Sequence, residues 1–505
     1  MSTRILFIGA DALDRDTVLA WAEDGTLPTF RRLLREGAWG STANPPGLYV
    51  GAIWPSFWTS AGPDTHARYC YEQLRPGTYE TVRVRPTDTQ VPAFWDALGE
   101  AGKRVAVIDI PKTHVVAGLN GIHVVDWGTH DPDFAGPVTW PASLARNLVE
   151  QYGRDEVGNC NVHGRARDYA TLRTQLVARV ERKQRLLLDV LAREAWDAVI
   201  AAFSESHCVG HQCWHIHDPS HIDHDAALAA RIGDPVRDVY VAIDAAIGEL
   251  IAAAGSGTEV IVLGSHGMRS HYDATFMLDD VLRRIERPAV PVPSARTVSR
   301  AKRAWGRTPR RIRRLLAPFK GRARRRLGID SPATRRFFAV PNNDAYGAIR
   351  VNLIGREPAG RVQAGNEFDQ VCAMLEADLR ALVNADTGEP AVLRVLRTRE
   401  LYHGPRADHL PDLMIEWNHR APFTRVRSEK IGEVTGTYTK CRTGDHSPAG
   451  FFAAAGPGVL AGPLQRTVSV ADFGPTIAER LGVALPGVDC RSFAPAIFGD
   501  PAAQS

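Results

Sequence analysis

The sequence predicts an α/β fold, with a mostly parallel central sheet between helices and an inserted cap region. Short apolar runs alternate with amphipathic segments through the first half of the chain, as expected for parallel strands that helices cover on both faces. Polar residues suited to chemistry follow four of these runs, at Asp11, Asp109, His207 and His266. Because the carboxyl ends of parallel strands meet at one edge of a sheet, these side chains are predicted to gather there.

The composition is that of an ordinary soluble globular protein. Of the 505 residues, 44% are hydrophobic and 23% are charged, with a net charge of +4, so the chain can bury a large core. No apolar run approaches about 18 residues, which predicts no transmembrane helix. The seven cysteines are scattered and form no CxxC pair, which argues against a disulfide framework and predicts a reducing, cytoplasmic location.

The elements of the core follow one another in order. The predicted strands are Arg4–Gly9, Arg104–Ile108, Ala198–Phe203 and Glu259–Leu263, each a short apolar run. The predicted helices are Leu27–Gly37, Val91–Gly102, Tyr169–Ala192 and Asp225–Ala254. The chain returns to an apolar strand within Thr443–Val459, and the helix Ser469–Leu481 precedes the closing tail.

Two regions are predicted from these patterns. Residues 1–277 and 441–505 form an α/β catalytic core, and residues 278–440 form an insertion or cap, in which the strand and helix pattern loosens. Within the cap, Tyr346–Leu353 and Pro411–Trp417 alternate like strands.

The cap contains an Arg-rich segment, residues 300–326, with thirteen Lys or Arg and no Asp or Glu. Such a block is most often a solvated face or a mobile segment. Contact with an anionic substrate or an anionic lipid surface is an alternative interpretation. No nucleic-acid-binding motif accompanies the segment, so no specific nucleic-acid partner is expected.

Histidines are concentrated directly after the predicted strand Ala198–Phe203. Six of the chain's 17 histidines fall within residues 207–224. His207 and His211 are four residues apart, so one helical turn would direct both imidazoles at one point. Neutral imidazole is a good zinc ligand, and three protein ligands plus a water molecule make a catalytic zinc site. The pattern therefore predicts a metal site, although single histidines here are also typical of surface or capping positions.

Six segments resemble, in order along the chain, the alkaline phosphatase superfamily and especially its type I phosphodiesterase/nucleotide pyrophosphatase branch. They are FIGADALDRD (7–16), WPSFWTSAGPDTHARY (54–69), SESHCVGH (204–211), LGSHGM (263–268), TGDHSPAGFFAAAGPGV (443–459) and VADFGPTIAERLGV (470–483). The resemblance implies an alkaline-phosphatase-like sheet between helices. It also implies a site for two metal ions, usually zinc, that cleaves phosphate esters.

The resemblance assigns four ligands directly. Asp11 matches an aspartate that binds one metal ion, and His266 joins it. His211 and His446 match histidines of the second metal site. Manganese or iron remain alternatives to zinc, because imidazole and carboxylate ligands suit several metals.

Three positions depart from the family pattern. His207 stands where the family has an aspartate ligand, which gives a three-histidine set of His207, His211 and His446, itself a good zinc site. Ser265 replaces the aspartate before His266 and is a poor ligand. Val50 and Gly51 occupy the place of the Thr or Ser nucleophile, and neither can attack a phosphate ester.

Two further residues are candidates for the missing catalytic groups. Ser56 is predicted near a helix start after Pro55, where the helix dipole would favour an oxyanion, so it is a candidate nucleophile. A structural hydroxyl is the competing interpretation. Glu205 or His271 is a candidate to compensate for Ser265. Without a side-chain nucleophile, a water molecule activated by the metal is expected to attack directly, since zinc lowers the pKa of bound water to about 7.

These observations predict a zinc-dependent hydrolase with one or two metal ions that cleaves a phosphodiester, a pyrophosphate or a related small anionic ester. The altered ligand set leaves group transfer, or a non-phosphate substrate of specialised metabolism, as an alternative. A non-enzymatic module that binds anions or a partner through the Arg-rich segment is a further alternative.

Overall fold

The computed structural model describes residues 3–157, 168–286, 331–487 and 490–499. The predicted Arg-rich segment 300–326 lies outside the described residues. Within the described ranges, no helix combines the length and the apolar character needed to cross a membrane.

The first nine strands lie before residue 265. They are β1 (Arg4–Ala10), β2 (Ala38–Ala43), β3 (Glu72–Leu74), β4 (Thr81–Arg83), β5 (Val105–Ile108), β6 (Gly121–Val125), β7 (Val138–Trp140), β8 (Ala198–Phe203) and β9 (Thr258–Gly264). The later strands are β10 (Gly267–Ser270), β11 (Phe337–Val340), β12 (Tyr346–Val351), β13 (Val383–Asn384), β14 (Val392–Arg397), β15 (Leu413–Trp417), β16 (Arg425–Ser428), β17 (Gly432–Thr435), β18 (Gly444–Ser447), β19 (Gly450–Ala455), β20 (Gly462–Pro463) and β21 (Val468–Ser469).

The α-helices are distributed over the whole described chain. They are α1 (Arg15–Glu23), α2 (Pro28–Glu36), α3 (Tyr49–Thr59), α4 (Pro63–His66), α5 (Phe94–Glu100), α6 (Leu144–Tyr152), α7 (Tyr169–Arg193), α8 (Glu205–His217), α9 (Ala226–Ile232), α10 (Pro235–Ala254), α11 (Leu278–Glu286), α12 (Asn366–Arg380), α13 (Thr398–Leu401), α14 (Phe473–Arg480) and α15 (Ala494–Ile497). Short 3-10 helices span Pro86–Asp88, Thr275–Met277, Pro332–Thr334, Ala407–His409 and Val470–Asp472.

A ten-stranded sheet forms the centre of the described chain. Its order is β20-β2-β19-β9-β1-β8-β5-β6-β7, with β21 beside β2. Strands β9, β1, β8, β5 and β6 run parallel to their neighbours within this set, whereas β19 and β7 pair antiparallel with β9 and β6. The predicted mostly parallel sheet between helices is confirmed.

The sequence of β1 explains why the sheet is covered on both faces. Leu6 and Ile8 belong to one apolar cluster, together with residues of α2, α7 and α10. Ile5 and Phe7 belong to another, together with residues of α3, α5 and α14. Successive side chains of a strand point to opposite faces, so an almost uninterrupted apolar run supplies both layers.

Two predicted elements differ from the observed ones. The predicted helix Asp225–Ala254 is two helices, α9 and α10. Gly233 separates them with a positive φ of 77°, and Asp234 caps α10 by accepting from the backbone of Val236 and Arg237, so the chain turns there. The predicted strand within Thr443–Val459 is also two strands. The first, β18, leaves the main sheet to pair antiparallel with β10, and only β19 joins the sheet.

The predicted cap contains a sheet of its own. Strands β11, β12, β15 and β14 form a four-stranded antiparallel sheet. A separate apolar cluster joins residues of this sheet to α11 and α12. The predicted boundaries of the cap, at residues 278 and 440, stay predictions.

Candidate metal centre and active site

Three strands of the main sheet deliver the polar residues to one edge. β1 ends at Ala10 and is followed by Asp11, β8 leads into α8, and β9 is followed by Ser265 and His266. The antiparallel pair β10–β18 brings in His446, which lies opposite Met268. Of the four residues predicted to gather at this edge, Asp11, His207 and His266 lie together there, and His446 joins them from β18. Asp109 follows β5, but its carboxylate accepts from the backbone of Trp127 and Gly128 and pairs with Lys183.

His207, His211 and His446 form a compact cluster, called the three-histidine cluster below. One nitrogen from each imidazole lies within 4.8 Å of the other two, and all three residues are buried. The ring centres are 4.4 Å apart for His207 and His211, 5.0 Å for His207 and His446, and 4.5 Å for His211 and His446. The spacing of four residues on α8 places the first two on one face, as the sequence predicted.

Hydrogen bonds leave ring nitrogens of this cluster available. The Nδ1 of His211 lies 2.7 Å from the carbonyl oxygen of Gly444, so it donates there and its Nε2 keeps a lone pair. That Nε2, the Nδ1 of His207 and both ring nitrogens of His446 are buried without a hydrogen-bond partner. Burial lowers the pKa of all three histidines well below the usual value, and neighbouring cations lower it further.

This donor set fits a metal ion. A buried polar group without a partner costs about 1–3 kcal/mol, and the cluster gathers several of them at one point. Zinc prefers neutral imidazole nitrogens as ligands, and the spacing of these three nitrogens suits three corners of a tetrahedron around one ion.

Asp11 lies beside the three-histidine cluster. Its Oδ1 accepts hydrogen bonds from Trp54 Nε1 at 2.8 Å and from Ser265 Oγ at 3.2 Å. The Nδ1 of His266 lies 3.9 Å from the same oxygen. Asp11 and His266, the pair predicted to bind one metal ion, are thus neighbours, and the Oδ2 of Asp11 faces away from Trp54 towards His130 at 3.8 Å.

Ser265 orients His266 although it is a poor ligand. Its hydroxyl donates to Asp11 and lies 2.9 Å from the Nδ1 of His266, so that nitrogen is placed to donate to the serine oxygen. The Nε2 of His266 is then the nitrogen with the lone pair, and it is buried with no hydrogen-bond partner. Burial lowers the pKa of His266 to about 4, which keeps the ring neutral.

His130 is a functional candidate that the sequence reasoning missed. It lies five residues after β6, and its ring stacks on His207 with the centres 3.6 Å apart. Asp11, His130 and His207 form a second group whose potential ligand atoms lie within 4.8 Å of one another. The available signal was the apolar run of β6, which carries polar residues to the same edge of the sheet as its parallel neighbours.

A cavity of about 420 Å³ opens onto these histidines. Asp11, His130, His207, His266 and His446 line one part of it. Five cationic residues also line it, namely Arg68, Arg83, Lys112, Lys440 and Arg442. Four aspartates line it as well, namely Asp11, Asp131, Asp133 and Asp344, and the small excess of cations suits an anionic ligand.

The start of α3 supplies Val50 and Gly51 to the cavity wall. These are the residues that stand where the family has its nucleophile. Among the described residues that line the cavity there is neither serine nor threonine. The thiol of Cys70 does line it, but it donates to the carbonyl oxygen of Asn342 at 3.1 Å, and burial raises its pKa to about 12, so it is a weak nucleophile at neutral pH.

The position of Ser56 argues against its role as nucleophile. It was expected near a helix start, but α3 begins at Tyr49 and Pro55 lies inside the helix. Ser56 is only 1% exposed and does not line the cavity. Its Oγ lies 3.0 Å from His66 Nε2, and His66 Nδ1 accepts from the backbone of Arg68. The Nε2 of His66 therefore carries the proton and cannot withdraw one from Ser56.

Glu205 is likewise engaged elsewhere. Its Oε1 accepts from Arg179 Nε at 2.7 Å and lies 3.7 Å from Lys183 Nζ, and all three side chains are buried. Glu205 and His207 are two positions apart on α8, and residues so spaced do not share a helix face. The predicted catalytic role of Glu205 is not supported by this position.

His271 does not compensate for Ser265 either. Its Nε2 is 3.2 Å from Asp273 and 3.8 Å from Asp445. Burial alone would lower the pKa of His271, but these carboxylates and Asp344 raise it to about 9. A protonated imidazole has no lone pair for a metal ion.

The family of the chain is shown by a match to a family model. The chain belongs to the type I phosphodiesterase/nucleotide pyrophosphatase family, whose model matches residues 5–449. Membership confirms the family that the six sequence segments indicated, and it makes the chain a hydrolase of the phosphodiesterase and pyrophosphatase class. No curated protein matches the chain at a significant level.

Several solved structures share the fold. Murine ectonucleotide pyrophosphatase/phosphodiesterase 5 is 12% identical, with 96% of each chain covered and a TM-score of 0.50. Phosphonoacetate hydrolase from Sinorhizobium meliloti 1021 is 15% identical, with the same coverage and a TM-score of 0.50. The alkaline phosphatase PafA is 13% identical over 99% of this chain and 100% of its own, with a TM-score of 0.51. At these identities the similarity establishes the alkaline-phosphatase-like fold.

Proposed function

We propose that the protein is a zinc-dependent hydrolase of a phosphodiester, a pyrophosphate or a related anionic ester, in which a water molecule attacks phosphorus directly. The observation that carries this proposal is the three-histidine cluster at a cationic cavity whose described lining contains no serine or threonine. Family membership supports the reaction class, and the unpartnered ring nitrogens support the metal.

The three-histidine cluster would hold one ion. Zinc accepts three protein ligands and leaves a position open for water or substrate. When bound, it supplies positive charge to the phosphoryl oxygens and lowers the pKa of water. Manganese or iron could bind to the same ligands, because imidazole and carboxylate groups suit several metals.

Asp11 and His266 would hold a second ion, with His130 as a further ligand in place of the aspartate that the family resemblance places at Ser265. The closeness of His130 Nε2 to Asp11 Oδ2, 3.8 Å, supports this assignment, as does the unpartnered Nε2 of His266. Ser265 contributes by fixing the tautomer of His266, in the way that partners of metal ligands usually act.

The protein's own residues prepare the reaction. The excess of cations over carboxylates in the lining attracts the ester. Val50 and Gly51 leave to substrate or water the space that a nucleophile occupies in related enzymes. The oxygen of water forms a bond to phosphorus and gives up one proton to solvent while the bond to the leaving oxygen breaks. The leaving oxygen departs with the bonding electrons and takes a proton from solvent.

Stereochemistry at phosphorus distinguishes this route from a covalent one. In water labelled with a heavy oxygen isotope, the product of a chiral phosphorothioate diester keeps a chiral phosphorus. A single in-line displacement by this water inverts the configuration, whereas two displacements through a phosphorylated side chain retain it. We expect inversion. Retention would disprove direct attack and indicate a side-chain nucleophile. A panel of phosphodiesters, phosphomonoesters and sulfate esters would first identify a substrate, and hydrolysis of none of them with zinc present would contradict the proposed function.

The role of His130 is tested by metal content. His130→Gln is expected to reduce the bound zinc from about two ions per chain to about one, because a site left with two strong ligands binds weakly. His403 is an exposed histidine outside the cavity, so His403→Gln serves as the control. Unchanged zinc in His130→Gln would overturn the assignment.

A further inference from the structure

Arg68 occupies an unusual place in the cavity wall. It follows α4 and is 6% exposed, yet it lines the cavity. Its Nη2 donates to the carbonyl oxygen of Val84 at 3.1 Å. Its Nη1 is buried without any hydrogen-bond partner. A buried guanidinium with an unused donor is costly. Its position is best explained by a ligand that accepts a hydrogen bond from it.

Three other cations of the cavity are already paired with carboxylates. Arg83 lies 3.3 Å from Asp133, and Lys112 contacts both Asp131 and Asp133. Lys440 lies 2.6 Å from Asp344. Arg68 has no such ion pair among the described residues, and nearby acidic groups influence it only from a distance. Burial lowers the pKa of Arg68 to about 10, so it stays charged at neutral pH.

We propose that Arg68 binds a second anionic group of the substrate, a carboxylate or a phosphate, while the phosphoryl group lies at the histidines. This inference rests on the proposed function, because the second anion belongs to the same ester. A guanidinium presents parallel N–H groups to such an anion and binds it more strongly than a neutral partner would. The preferred substrate is accordingly an ester with two separate negative groups, and a simple monoanionic diester is a poorer one.

Matched substrates test this proposal. Methyl 4-nitrophenyl phosphate carries one anion, and its carboxymethyl and 2-phosphoethyl counterparts add a carboxylate or a phosphate to the same diester. The measured quantity is the preference, the ratio of kcat/KM for a substrate with two anionic groups to that for the methyl ester. Comparing the two added groups shows which anion Arg68 selects.

We expect Arg68→Gln to lower the preference by about tenfold or more, as loss of a charged hydrogen bond does. The effect should appear in KM for the substrates with two anionic groups. Arg83→Gln removes a cation that is already paired and is expected to change the preference by less than about threefold. An equal loss on all substrates in Arg68→Gln would overturn the proposal, because it would show a structural role.

Direct binding keeps this inference separate from the proposed function. If the wild-type protein hydrolyses none of these esters, the proposed function fails, and inorganic pyrophosphate becomes the probe in calorimetry on the zinc-loaded protein. A dissociation constant raised about tenfold or more in Arg68→Gln would still support anion binding at Arg68. Equal affinities of the two proteins would overturn it.

Discussion

Ser265 shows how one side chain sets the chemistry of its neighbour. Its hydroxyl oxygen accepts a hydrogen bond from the backbone N–H of Ala12, and its O–H donates to Asp11. The Nδ1 of His266 then lies where it can donate to the Ser265 oxygen. The sequence reasoning treated the loss of an aspartate here as a loss of a ligand. In the structure Ser265 instead contacts the Nδ1 of His266, a proposed ligand, and so favours the tautomer that leaves a lone pair on Nε2.

Replacing Ser265 by alanine is therefore expected to weaken zinc binding at Asp11 and His266 by roughly 10- to 100-fold, the range typical of partners that orient a ligand. Competition with a chelator measures this affinity, and the melting temperature reports the separate effect on folding. Unchanged affinity would show that Ser265 does not orient His266.

Ser56 provides a contrasting prediction. Its hydroxyl receives a hydrogen bond from His66 and does not reach the cavity, so Ser56→Ala is expected to keep kcat/KM within about threefold of the wild-type value, at a cost of about 1 kcal/mol in stability for the lost hydrogen bond. Steady-state kinetics of the two proteins measure this change in kcat/KM. A loss of about a thousandfold, as for an essential nucleophile, would make Ser56 that nucleophile.

At the level of elements, the site depends on how closely α8 and β18 approach each other. Gly210 on α8 and Gly444 on β18 are in backbone contact, and a Cβ on Gly444 would clash with the carbonyl oxygen of Gly210 and lie 2.9 Å from the Cβ of Trp214. This close approach allows His211 to donate to Gly444 and places His446 two residues beyond.

Gly444→Ala is expected to separate the two elements, to cost about 1–3 kcal/mol of stability as overpacking does, and to lower zinc occupancy of the three-histidine cluster. Gly136 has no atom within 4 Å of an added Cβ, so Gly136→Ala is the matched control. Metal analysis and thermal unfolding test both variants. Normal zinc content in a folded Gly444→Ala protein would show that this approach does not position the ligands.

The ion pairs of Glu205 connect α8 to α7. Glu205→Gln leaves Arg179 and Lys183 buried with less compensating charge, so we expect a loss of about 3–5 kcal/mol in the free energy of unfolding, with the zinc content unchanged in the folded protein. Glu194, which forms a half-exposed pair with Arg104, is the control, and Glu194→Gln should cost less than about 1 kcal/mol. Loss of zinc without loss of stability would restore Glu205 as a ligand.

At the level of the whole molecule, the parallel core could be predicted from the sequence, because strands buried on both faces are continuous apolar runs. The observed β8 spans Ala198–Phe203, the predicted range. The pair His207 and His211 on α8 could be predicted because residues four apart on any helix share a face, whatever the rest of the fold. His130 could not be, since only the pairing of β5 with β6 brings its loop to the same edge. Arg68 was also missed, because an unpaired guanidinium is defined by its neighbours and not by its sequence.

The proposed metal centre is tested most directly by the zinc content per chain, measured by mass spectrometry on protein purified without added metal. We expect about two ions in the wild-type protein, and at most about one in His211→Ala, together with the loss of hydrolysis, because the proposed centre gives each ion three protein ligands. A wild-type protein that contains no zinc and takes up none when it is added would contradict the metal centre and the mechanism built on it.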